Sequence, residues 1–134
     1  LEAMGHGYTE MMISEYCVIA SFVGTGSKVT CSMPCVKENY FLRDRKGEMF
    51  PLRTDPYCRM HIMNSHEMDM RAYVPDLVKK GVSILRIDGR QMDLDRLKHI
   101  ITEYVGILNG TIQPPSKQVY DEPITRGHYF RGIL

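Results

Sequence analysis

Apolar and polar residues alternate over several short stretches of this chain, and one longer stretch carries apolar residues at helical spacing. The run Y-T-E-M-M-I-S at residues 8–14 predicts a strand that delivers Glu15, Tyr16 and Cys17 at its C-terminal end. Gly24 and Gly26 mark a loop, and a proline-bent knuckle, C-S-M-P-C, follows at residues 31–35. Two β-prone runs, residues 40–43 and 49–52, flank D-R-K-G-E and predict a hairpin whose second arm leads on to Cys58. Residues 59–64 predict another strand, and Ser65 is the expected cap of a helix starting at His66. Pro75 opens a second helical piece ending at Lys80, with Gly81 just beyond it. A strand over residues 82–87 then leads to a helix capped by Asp93. Its apolar stripe, Leu94, Leu97, Ile100, Ile101, Tyr104, Val105 and Leu108, stops at Asn109-Gly110.

The alternation of strand and helix after Cys58 predicts βαβ units in a mostly parallel sheet, hence an α/β protein. The expected organisation is a single unit in three parts: residues 1–65 as strand plus cysteine-rich insertion, 66–110 as βα units, and 111–134 as a tail. At 134 residues the chain falls far short of the roughly 250 that a closed (βα)8 barrel takes. No apolar run approaches the roughly 20 residues of a membrane-spanning helix, so no membrane partner is expected. Residues 1–7 have neither the basic start nor the apolar stretch of a secretory signal, and the expected location is cytoplasmic. A formal net charge of +1 argues against a large surface for duplex nucleic acid. With ten methionines and no tryptophan, the core is expected to be filled partly by thioethers, from Met4, Met11, Met12, Met60, Met63, Met68 and Met70.

The chemistry is concentrated in the cysteines. Cys17, Cys31, Cys35 and Cys58 follow the spacing C-x13-C-x3-C-x22-C, and four thiolates complete either an iron-sulfur cluster or a structural zinc site. The C-x3-C pair suits a cluster somewhat better, because structural zinc usually draws on two such pairs. Four unrelated buried thiols, or two disulfides in a secreted chain, are the competing readings. His128, flanked by Gly127, is a candidate extra ligand, and His61 a core or supporting residue beside Arg59. Hydrolase signatures are mostly missing: His66-Glu67 starts like H-E-x-x-H, but Met70 stands where the second histidine is needed. Neither a G-x-S-x-G elbow nor a phosphate loop with its lysine occurs, while a cysteine nucleophile paired with His61 or His128 stays open.

Several blocks together resemble the U-32 peptidase family, also called collagenase-like peptidases. They are G-Y-T-E-M-M-I-S-E-Y-C, C-S-M-P-C, Y-F-L-R-D-R-K-G-E-M-F-P-L, C-R-M-H-I-M-N-S and G-V-S-I-L-R-I-D-G-R, in that order from Gly7 to Arg90, with T-R-G-H-Y-F-R-G near the end. The resemblance implies the C-terminal part of a modified TIM-type (βα)8 barrel with a Cys-bearing β-hairpin insertion. Its partner would be the remainder of the barrel or, in a homo-oligomer such as a dimer, a second copy. Some members are described as peptidases. Others act in RNA hydroxylation or oxygen-independent ubiquinone synthesis, and there four cysteines carry an iron-sulfur cluster, a role the similarity carries onto Cys17, Cys31, Cys35 and Cys58. The leading expectation is an iron-sulfur protein supporting RNA or small-molecule hydroxylation, with Arg59, His61, Asp88, Arg90 and His128 as candidate polar groups for substrate. A peptidase acting on peptide, or a zinc-stapled binding module, is the alternative.

Overall fold

The computed structural model describes residues 1–24, 31–117, 124–126 and 129. In chain order its elements are β1 (Glu2–Gly7), β2 (Glu10–Ser14), α1 (Val18–Phe22), α2 (Pro34–Lys37), β3 (Tyr40–Arg43), β4 (Met49–Thr54), β5 (Met60–Met63), β6 (Glu67–Asp69), a 3-10 turn (Arg71–Tyr73), α3 (Val74–Lys79), β7 (Ile84–Asp88), α4 (Leu94–Leu108) and β8 (Ile124–Thr125). The fold is mixed α/β with two four-stranded sheets. Contacts divide it into two compact units, Thr9–Ser65 and a second made of Leu1–Tyr8 with His66–Leu134.

The Thr9–Ser65 unit is built on an antiparallel sheet in the order β2-β5-β4-β3. The expected hairpin is there, with Tyr40 opposite Leu52 and Arg43 opposite Met49. Its turn is set by Asp44, whose Oδ1 accepts from Lys46 N and Glu48 N at 2.7 and 2.9 Å, and by Gly47 at a φ of +91°. Cys17, Ile19, Leu52, Met60 and Ile62 form its buried core.

In the other unit the sheet order is β7-β1-β6-β8. The expected mostly parallel sheet forms in part, with one antiparallel pairing at its centre. β1 runs parallel to β7, and β6 to β8, but β6 is antiparallel to β1, with His6 opposite Asp69. Nor does Ser65 begin a helix: Glu67-Met68-Asp69 is extended. Its period of two puts both acids on one face and sends Met68 to the other, into a core with Met70, Ala72, Tyr73 and Leu77. Gly7 holds a φ of +116°, and a Cβ there would collide with the Asp88 carbonyl, so glycine is what lets β1 and β7 end side by side.

α4 starts and stops where the sequence predicts. Asp93 accepts from Arg96 N at 2.8 Å, and the helix is closed at Asn109 with Gly110 at a φ of +73°. Only part of the predicted stripe is buried, however. Ile100, Tyr104 and Ile107 pack with Val74, whereas Leu94, Ile101, Val105 and Leu108 form a second, exposed apolar row. The methionines divide likewise: Met60, Met63, Met68 and Met70 are core, but Met11 and Met12 stand more than half exposed on β2.

Candidate functional site

All four cysteines belong to the Thr9–Ser65 unit, and all are free thiols. Cys17 caps α1 and is buried. Ala20 N donates to its Sγ at 3.4 Å, and the partly buried Cys35, in the single turn of α2, packs against the same core. Met33 N donates to Cys31 Sγ at 3.4 Å, and Met33 itself takes up a left-handed φ of +49° ahead of Pro34. Cys58 is exposed, with a φ of +59°, in a turn organised by Asp55. That carboxylate accepts from Tyr57 N and Arg59 N, both at 2.9 Å, and from Arg59 Nε at 2.7 Å. Burial alone would raise the Asp55 pKa, but these Arg59 and Tyr57 bonds outweigh it and hold the group at about 2.

The donor chemistry therefore suits a thiophilic metal: four unpaired thiols in one small unit, two of them already accepting backbone N–H groups. The sulfurs are not drawn into a closed ligand set, for among the described residues no three His, Cys, Asp or Glu side chains are arranged to hold an ion.

The polar candidates fall into two pairs. Arg59 and His61 meet at Asp55 in the Thr9–Ser65 unit, where His61 Nδ1 also lies 2.5 Å from Glu10 Oε2 and its Nε2 lies 3.5 Å from Asp55 Oδ2. Asp88 and Arg90 belong to the other unit and pair with each other, Arg90 Nε donating to Asp88 Oδ1 at 2.8 Å. That bond, more than burial opposes it, lowers the Asp88 pKa. His128 lies outside the described residues.

A polar cluster that the sequence reading passed over is buried in the β1/β6 sheet. His6, Glu67 and Asp69 are 3%, 7% and 1% exposed. His6 Nδ1 lies 3.6 Å from Asp69 Oδ1 and 3.4 Å from the Tyr104 hydroxyl, while Nε2 lies 3.5 Å from Glu67 Oε1. Arg71 clasps Asp69 through Nε at 2.9 Å and pairs with Glu103, and Arg96 pairs with the far oxygen of Glu67. Burial lowers the His6 pKa, but hydrogen bonding and charge from Asp69 and Glu67 outweigh it, and the net direction is up. Burial likewise pushes both carboxyls up, and His6 together with the arginines overcomes it and holds them low. The available signal was the E-M-D alternation with the histidine of H-G at a strand end.

A comparison with protein families decides the lineage: the model of peptidase family U32 matches residues 1–126. The chain belongs to peptidase family U32. No curated protein and no solved structure matches it. The U32 match takes in both units and every cysteine, as well as the His6 cluster. No helix among the described residues is long and apolar enough to cross a membrane.

Proposed function

We propose that this U32 protein holds one metal centre on Cys17, Cys31, Cys35 and Cys58, an iron-sulfur cluster in first place and zinc in second, and supports hydroxylation of RNA or a small molecule. The supporting observation is that all four thiols share the Thr9–Ser65 unit, unpaired, with backbone N–H groups already donating to Cys17 and Cys31. A bound cluster would supply electron transfer. The chain's own contribution is to hold the sulfurs and to keep Arg59 and His61 fixed on Asp55 beside the Cys58 turn. Because no closed ligand set is present among the described residues, binding metal requires the sulfurs to rearrange, so metal affinity and folding of this unit are coupled.

The finer fold reading belongs to the same proposal: the Leu1–Tyr8 and His66–Leu134 unit is the C-terminal part of a modified (βα)8 barrel, and Thr9–Ser65 is its insertion. The parallel β1/β7 pair followed by α4 supports this. The peptidase reading has less behind it, since the ion-pair contacts of His6, His61 and His99 are to carboxylates and, among the described residues, none of the three meets a cysteine thiol that could act as nucleophile.

Anaerobic purification followed by visible absorption and iron and sulfide analysis is the test. A coloured protein with iron and labile sulfide, lost on Cys35→Ser, is expected. Colourless protein lacking both iron and zinc overturns the proposal.

A further inference from the structure

In the Leu1–Tyr8 and His66–Leu134 unit, the 3-10 turn and α3 border a cleft of about 420 Å³. Its buried lining is apolar: Met70, Tyr73 and Leu77 belong to one core cluster. Tyr129 adds a wall that is 41% exposed, and its hydroxyl donates to Met4 O at 2.9 Å, which holds the ring in place. The other groups at the cleft, Asp76, Lys79 and Lys80, are charged and exposed, so a ligand can reach them.

Positive charge here exceeds negative. Asp76 is the carboxylate of the lining, and Lys117 already pairs with it, Nζ lying 2.7 Å from Oδ2. The Asp76 pKa lies below its ordinary value, first through the hydrogen bond and charge of Lys117, against a smaller effect of burial, and then through the charges of Lys80 and Lys79. Among the described residues neither Lys79 nor Lys80 has an ion pair of its own. Nor are their ammonium groups needed to cap α3, because the carbonyls of Asp76, Leu77 and Val78 accept from the backbone N–H groups of Lys80, Val82 and Gly81. Two more cations stand against the Tyr73 ring, Lys117 Nζ at 5.2 Å and Arg126 Cζ at 5.3 Å from its centroid.

An apolar recess with surplus cations at its rim is complementary to an organic anion: burying the apolar body supplies affinity, and the ammonium groups select the charged head. The volume falls in the range of small-molecule sites, roughly 300–1,000 Å³.

We propose that this cleft binds a small organic anion with an apolar body, such as an arylalkanoate, the body against Tyr129 and the Tyr73 and Leu77 lining and the head paired with Lys79 and Lys80. All four cysteines belong to the other unit, so this assignment stands or falls independently of the metal centre.

The test is an NMR titration of the full chain with 4-phenylbutyrate and, separately, with 4-phenylbutanol, which keeps the body and lacks the charge. Saturable shifts of the backbone amides from Leu77 to Lys80 are expected with the carboxylate, and about tenfold weaker binding with the alcohol, the effect of losing one hydrogen bond between charged groups. Replacing both exposed lysines, Lys79→Gln with Lys80→Gln, should bring the carboxylate down to the affinity of the alcohol. Equal affinity for the two compounds, indifference to the lysine substitutions, or no saturable shift at these amides overturns the proposal.

Discussion

Tyr104 joins three segments through one oxygen: it donates to Gly5 O of β1, accepts from Met70 N after β6, and sits edge-on to the His6 ring at 5.7 Å between centroids. Tyr104→Phe keeps the ring and its packing but removes both hydroxyl bonds, leaving Gly5 O and Met70 N with the bond they make to each other at 3.0 Å. Denaturant unfolding should show a loss of about 1–3 kcal/mol; an unchanged midpoint would mean that these bonds are replaced. The His6 ring is faced by Glu67 and Asp69 from β6 and by Tyr104 from α4, and the two carboxylates pair in turn with Arg96 and with Arg71, which also pairs with Glu103. Its pKa is raised in the fold, so its stabilising contribution is complete below the ordinary value of 6.5 and disappears as pH climbs through the folded value. Glu67 and Asp69 are shifted down, so theirs is present above the usual carboxylate range and is lost on acidification. Stability should therefore peak between these limits, and an NMR titration should place His6 above 6.5. A midpoint at or below that value contradicts the description of the cluster.

Among the elements, the turn from Asp55 to Cys58 shows how a local sequence serves a distant purpose. One carboxylate gathers two backbone N–H groups and the Arg59 side chain, and in doing so fixes Cys58 in a left-handed conformation. Asp55→Ala should speed amide hydrogen exchange at Tyr57 and Arg59 while leaving the β3/β4 hairpin protected; unchanged exchange would show that the turn holds itself. This turn was only partly legible from sequence. The hairpin, α3 and α4 could be read because their signals are local: Asp44 and Gly47, Pro75 and Gly81, Asp93 and Gly110 each act within a few residues. β6 could not, since three residues carry too little periodicity and their extended form depends on pairing with β1, far away in sequence. The same long-range pairing hid the His6 cluster, because the sequence places His6 and Asp69 more than sixty residues apart. How much of the α4 stripe is buried was not legible either, because helical spacing identifies an apolar face without saying what covers it.

Across the whole chain, apolar surface remains uncovered in each unit. Leu94, Ile101, Val105 and Leu108 line one side of α4, and Phe22 and Val36 stand out from α1 and α2. We propose that these residues are where the remainder of a barrel or a second copy packs. Sedimentation of the chain alone should show concentration-dependent association that Ile101→Glu weakens, and a stable, well-folded monomer at every concentration would refute it. The central claim concerns the cysteines, and X-ray absorption at the metal edge of anaerobically purified protein tests it most directly. The account predicts a first coordination shell made of sulfur, reduced by one protein ligand in Cys58→Ser. A shell of nitrogen and oxygen, or one indifferent to every Cys→Ser substitution, would contradict it.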